Sequence, residues 1–299
     1  MRITNNMIHR QTISNMGKNL SKLQHFQNQI SSGKELSKPS DNPLAFSKIF
    51  DLHSHIRVNE QYGTNIQDSI GWVDTQDSAL QNAGDILHRV RDLVIYGSNG
   101  TQSKADLQII KDEIIQNIQG FRDVMNTNFN GKYVFGGQET TKPPFRMEGN
   151  ELIYKGNTEN LTREITKGVS IELLTSGETL VGGGENDADA LGQVLSDITE
   201  ALENEDQALL SKNLLGRLDK GIERLLNGRA KIGGISNRLE ATNSRNDAER
   251  LEMKNLLSSL EDVDIAEKYM EYSIMANIYQ ASLAAGAKIM QPGLMDYLR

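Results

Sequence analysis

Residues Gln29–Ala45 read QISSGKELSKPSDNPLA, and the rest of the chain is arranged around this stretch. It reads as one helix stopping and another starting. Gly33 has no Cβ and suits the left-handed conformation that ends a helix. Pro39 drives Lys38 away from helical angles. Asn42 is placed to cap the next helix with its side-chain oxygen. Pro43 fits the first helical position, where its missing N–H would be unpaired anyway. No Glu or Gln stands where a capping box needs one. On spacing alone this is a helix–loop–helix corner.

Apolar residues run in three-and-four steps on both sides of the corner. Upstream, Ile13, Met16, Leu20, Leu23, Gln27 and Ile30 hold heptad spacing. One amphipathic helix of this length cannot bury its seam alone, so it needs a partner. Downstream, Ile49, Leu52, Ile56, Asn59, Gly63, Ile66, Ile70, Val73, Asp77, Leu80, Gly84, Leu87, Arg91 and Val94 keep the same rhythm. A 3.5-residue period held this long specifies coiled-coil-like packing. Leu107, Ile110, Ile114, Ile118, Phe121 and Met125 predict a third helix, returning antiparallel after the turn at Gly97–Thr101.

The pattern changes at Lys132. Phe145–Glu148 and Glu151–Tyr154 flank Gly149-Asn150 and predict a hairpin. Leu161, Arg163 and Ile165 alternate, as do Val169, Ile171 and Leu173, so a small β domain is expected here. Glu185–Asp206 carries eight acids and no base, yet Val194, Leu195, Ile198 and Leu202 mark a helix within it. Another helix passes through Leu214, Leu218, Ile222 and Leu225. Heptads resume from Ile232 to Val263 with a polar middle at Thr242, Asn246 and Glu249, read as half solvated. The last helix holds Ile265, Tyr269, Tyr272, Ala276, Tyr279, Leu283, Gly286 and Met290 in four-and-three steps.

The expected fold is mainly α: a long antiparallel coiled-coil-like helical rod with a small inserted β domain. Residues 1–37 and 266–299 are paired terminal helices that serve assembly. Residues 38–131 and 187–265 form the rod, and 132–186 the inserted β domain. The insertion is expected to be dispensable for the rod. The terminal segments are expected to fold only when neighbouring subunits bury them, because their short seams gain too little alone.

Bulk properties narrow the function. The formal charge of −8 argues against a nucleic-acid binder. Residues Met1–Lys38 carry six cations against Glu35, a balance of +5, read as a solvated helix face. Cysteine is absent, which excludes disulfides and thiolate chemistry. The N-terminus lacks the apolar core and cleavage site of a signal peptide, and Ile274–Met290 is too interrupted to span a membrane. Gly33-Lys34 is no phosphate loop, since Asn28 stands where that motif needs Gly. Asp187 and Asp189 fail as a calcium loop at Leu191 and Ile198. His9, His25, His53, His55 and His88 read as surface residues. Asp262 and Asp264 fall on different helix faces. No catalytic residue, metal site or cofactor is expected.

Ser32-Gly33-Lys34 followed by Pro39-Ser40-Asp41-Asn42-Pro43 resembles the N-terminal signature of the bacterial flagellin superfamily. The prolines resemble its hook–filament junction branch, the hook-associated proteins 3, more than flagellin itself. Asn128–Phe145, NFNGKYVFGGQETTKPPF, also resembles that branch, with Phe129 in place of the usual valine. Arg229–Arg245 and Leu260–Ala266 resemble the superfamily's returning helix and its passage into the terminal helix. The resemblance implies a structural protein exported without a cleaved signal peptide through the flagellar type III apparatus, with help from an export chaperone. It implies self-assembly as a ring, between the first hook-associated junction protein on the hook side and flagellin on the filament side. It makes Gly33, Pro39, Asp41, Asn42 and Pro43 the hinge. The assembly seam would be Ile13, Met16, Leu20, Leu23, Ile30, Ile265, Tyr269, Tyr272, Ala276, Tyr279, Leu283 and Met290. A flagellin forming the filament itself is the alternative.

Overall fold

The computed structural model describes residues 5–99, 102–149, 151–182 and 189–289. Met290, the last seam position, lies outside the described residues, as do Asn150 of the hairpin turn and Glu185 and Asp187 of the acidic run. The chain divides into two compact units, Met1–Val58 with Glu249–Arg299, and Asn59–Ala248. Helices α2 (Pro43–Ser98) and α7 (Leu215–Glu261) contribute residues to both.

In the second unit α2 and α7 run antiparallel. Asn246 donates to Asn59 O at 3.2 Å, Arg229 to Asp77 at 2.7 Å and Arg91 to Asp219 at 2.7 Å. The two charged positions that interrupted the apolar row of α2, Asp77 and Arg91, are therefore ion pairs reaching α7. Thr242 and Asn246 are buried, not half solvated; only Glu249 of that polar trio is exposed. A Cβ on Gly63 would stand 3.1 Å from Asn246 Oδ1, so this glycine does mark a close approach.

Helix α3 (Lys104–Met125) buries Leu107, Ile110, Ile114, Ile118, Phe121 and Met125, the row its spacing predicts. Ser103 and Asp106 form a capping box at its start. Three antiparallel hairpins follow: β1 (Asn128–Phe129) with β2 (Lys132–Tyr133), β3 (Phe145–Glu148) with β4 (Glu151–Tyr154), and β5 (Leu161–Thr166) with β6 (Val169–Leu173). They do not join into one sheet. A lone two-stranded hairpin is marginal in water, so each needs an apolar support.

That support is helical. Val134, Phe135, Phe145, Leu152, Ile165, Ile171 and Leu173 belong to one buried cluster with α2, α3, α7 and α5 (Leu191–Glu203). A second face of α2, with Trp72, Ala79, Ala83, Val90 and Leu93, is buried beside the heptad row. The short α4 (Glu178–Val181) and α6 (Gln207–Leu209) complete this unit. A π-helical stretch, Leu210–Leu214, leads directly into α7. The helix through Leu218 and the heptads from Ile232 are thus one helix rather than two.

The first unit pairs α1 (Asn5–Ser32) with α8 (Ile265–Ile289), next to the first turns of α2 and the last turns of α7. The corner forms as its residues require. Gly33 has φ +70° and its N–H donates to Gln29 O at 2.9 Å. Asp41 Oδ2 accepts from Lys38 N, and Asn42 Oδ1 accepts from Ala45 N at 3.1 Å, capping α2 with Pro43 at its first position.

Candidate assembly surface

The α1–α8 pair meets along one row from each helix. On α1 the half-buried residues are His9, read from sequence as a surface residue, and Thr12, Met16, Asn19, Leu23, Phe26 and Ile30. On α8 they include Lys268, Tyr272, Met275, Ala276, Tyr279 and Ser282, with Gly286 fully buried. Asn19 donates to Ser282 Oγ at 3.0 Å. The Lys268 ammonium lies 5.9 Å from the Phe26 ring centroid. Lys268 also donates to Glu271, and this bond, with Glu35 and Glu267 nearby, holds its ammonium above the ordinary lysine value. A Cβ on Gly286 would meet Met16 Sδ at 3.1 Å. The glycine that interrupts the apolar row of the last helix is thus where α1 comes closest.

The seam read from sequence spans this row and the face beside it. Met16, Leu23, Ile30, Tyr272, Ala276 and Tyr279 lie half-buried in the pair. Ile13, Leu20, Ile265, Tyr269 and Leu283 are exposed, Ile13 by 58% and Tyr269 by 64%. Further apolar residues join them: Met270, Ile274 and Ile278, four residues apart on one line of α8, and Met7 and Ile8 on α1. Apolar side chains therefore stand on α8 outside the pair as well as within it. An exposed apolar patch of this kind marks a contact site.

Lys34 and His53, which sequence reasoning set aside, meet a third residue at the corner. Glu261, at the end of α7, is 7% exposed. Lys34 donates to its Oε1, and His53 Nε2 lies 3.0 Å from its Oε2. His53 is thus a half-buried contact of α2 and not a free surface residue. The signal was present in the sequence only as an acid within the passage from α7 to α8. Among the described residues no group of His, Asp or Glu could hold a metal ion, and no helix is long and apolar enough to cross a membrane.

Comparison with known proteins agrees with this geometry. Residues 3–140 match the model of the bacterial flagellin N-terminal helical region, and residues 215–298 that of the C-terminal helical region. Flagellin of Bacillus subtilis (strain 168) is 31% identical over 95% of each chain. Flagellar hook-associated protein 3 of Escherichia coli (strain K12) is 24% identical over 95% of this chain and 96% of that protein. The crystal structure of Bacillus cereus FlgL matches with a TM-score of 0.58 at 24% identity, over 69% of this chain and 98% of that one.

Proposed function

The chain belongs to the bacterial flagellin family, and from that premise we propose that it is a hook–filament junction protein. Membership makes it a structural, non-enzymatic protein of the extracellular flagellum. The finer reading is a self-assembled ring. The first hook-associated junction protein lies on its hook side, flagellin lies on its filament side, and an export chaperone delivers it.

The observation that carries this reading is Asn128–Phe145, the segment that resembles the junction branch. It builds the first hairpin and buries Val134, Phe135 and Phe145 in the helical core. Pro39 and Pro43 in the hinge support the same branch. Self-assembly rests on the exposed apolar residues of α1 and α8, which a neighbouring subunit would cover. Head-to-tail contacts of this kind build a closed ring or an open helix, not a two-fold dimer. We expect the seam residues, Met290 included, to lie in those contacts. The 132–186 region is proposed to face outward and residues 1–37 with 266–299 inward.

One observation favours a second reading, a flagellin that forms the filament: the 31% identity to Bacillus subtilis flagellin. Immunolabelling of flagella on cells separates the two. A single band at the hook–filament boundary is the expected result. Label along the whole filament would overturn the junction reading in favour of flagellin.

A further inference from the structure

Glu261 joins three stretches of chain in the first unit. Lys34 comes from the turn after α1, His53 from α2, and Glu261 itself from the last turn of α7. The same two turns pair through their backbones. Glu35 N–H donates to Glu261 O at 2.8 Å, Val263 N–H donates to Gly33 O at 3.1 Å, and Lys34 and Asp262 form an antiparallel bridge. Gln29, 4% exposed, donates to Glu35 O at 2.8 Å from the end of α1.

So short a ladder does not hold in water by itself. A buried carboxylate is equally unfavourable unless cations or donors meet it. Here each solves the other's problem. The ladder brings Lys34 over the carboxylate, and the carboxylate holds Lys34, and hence the ladder, in place. Lys34 and His53 are each about half exposed, at 49% and 45%, so the pairs are partly screened and their effect is local.

We propose that Glu261 is a positioning residue. Its carboxylate, gripped by Lys34 and His53, clamps the turn after α1 to the turn before α8. It thereby fixes how the α1–α8 pair is carried by the adjoining ends of α2 and α7. The clamp sets where the apolar faces of that pair stand when the pair folds on assembly, so this inference rests on the assembly reading above.

The test uses the full chain as wild type and as Glu261→Gln, Lys34→Met, the double variant and Lys34→Arg. Amide hydrogen exchange of the monomer and self-association by sedimentation are the two readouts. Glu261→Gln and Lys34→Met should each speed exchange at the Glu35 and Val263 amides by about tenfold. The double variant should add little to either, because the two residues act as one unit. Lys34→Arg should stay near wild type, and the amides of α3 should not change. Glu261→Gln should also raise the concentration at which the protein assembles. Unchanged exchange at Glu35 and Val263 would overturn the clamp, as would equal acceleration throughout the chain. Loosened amides with unaltered assembly would overturn the positioning role. If the wild type does not self-associate at all, the assembly reading falls alone, and the exchange results still decide the clamp.

Discussion

Gln76 lies fully buried in α2, where its amide donates to Val134 O at 2.9 Å and to Leu174 O at 2.6 Å. One side chain thus satisfies carbonyls on both sides of the hairpin region. Gln76→Leu keeps the volume but leaves both without this donor, and should lower the unfolding free energy by about 2 kcal/mol in urea titrations. An unchanged midpoint would show that the carbonyls find other donors. Ser103 and Asp106 act at the surface. Replacing an N-cap serine by alanine typically costs about 1 kcal/mol, and Ser103→Ala should do so here. Asp106 accepts from the Ser103 hydroxyl and backbone N–H, which holds its carboxyl below the ordinary aspartate value. Its folded value is depressed. Its contribution is therefore complete above the ordinary range and fades as pH falls below about 4 toward the depressed value. Asp106→Asn should flatten the acid limb of the stability curve there; an identical limb would refute the assignment.

At the scale of elements, α3 and α8 differ in what covers them. Helix α3 buries six large side chains, each contributing about 1.5–3 kcal/mol. Helix α8 buries only Gly286 fully. Ordering its backbone costs about 1–2 kcal/mol per residue, so the α1–α8 pair gains little in the monomer. Amides over 5–28 and 266–289 should exchange fast in a verified monomer and slowly after assembly. Slow exchange there in the monomer would overturn this. The expectation from sequence extended such mobility to residue 37, but the Lys34–Glu261 contact and the paired turns argue that protection begins at the corner. Ile274→Asp with Ile278→Asp should block self-association while leaving circular dichroism unchanged, because both face outward from the pair. Normal assembly of that double variant would remove this face from the interface.

At the scale of the whole molecule, the question is whether the hairpins can be removed. Sequence reading treats 132–186 as an insertion between helices whose rhythm continues on either side. Its buried side chains nevertheless share one cluster with α2, α3, α5 and α7. Replacing 132–182 by a short Gly/Ser linker uncovers the second face of α2 around Trp72. The expected outcome is a lowered thermal midpoint and partial loss of helical circular dichroism, not a helical scaffold left intact. Full retention of both would show that the helices are sufficient alone.

Local chemistry and periodicity settled much of this protein in the sequence. The Gly33 stop, the Asn42 cap with Pro43, the heptads of α2, the buried row of α3 and the 145–154 hairpin all depend on residues close together in the chain. Their signals are legible without a partner. The row by which α1 meets α8 was only half legible. Apolar residues lie on more than one face of each helix, so spacing cannot say which face pairs within the chain and which is left outside. Gly286, which has no side chain, and Ser282, which accepts from Asn19, decided it by allowing α1 to approach. The second face of α2 was hidden for the same reason, since Trp72 and Gln76 fall off the heptad row and gain meaning only against the hairpins. Glu261 was invisible as a hub because its partners Lys34 and His53 are more than 200 residues away. Only the antiparallel return of α7 along α2 brings those three side chains within reach of one another.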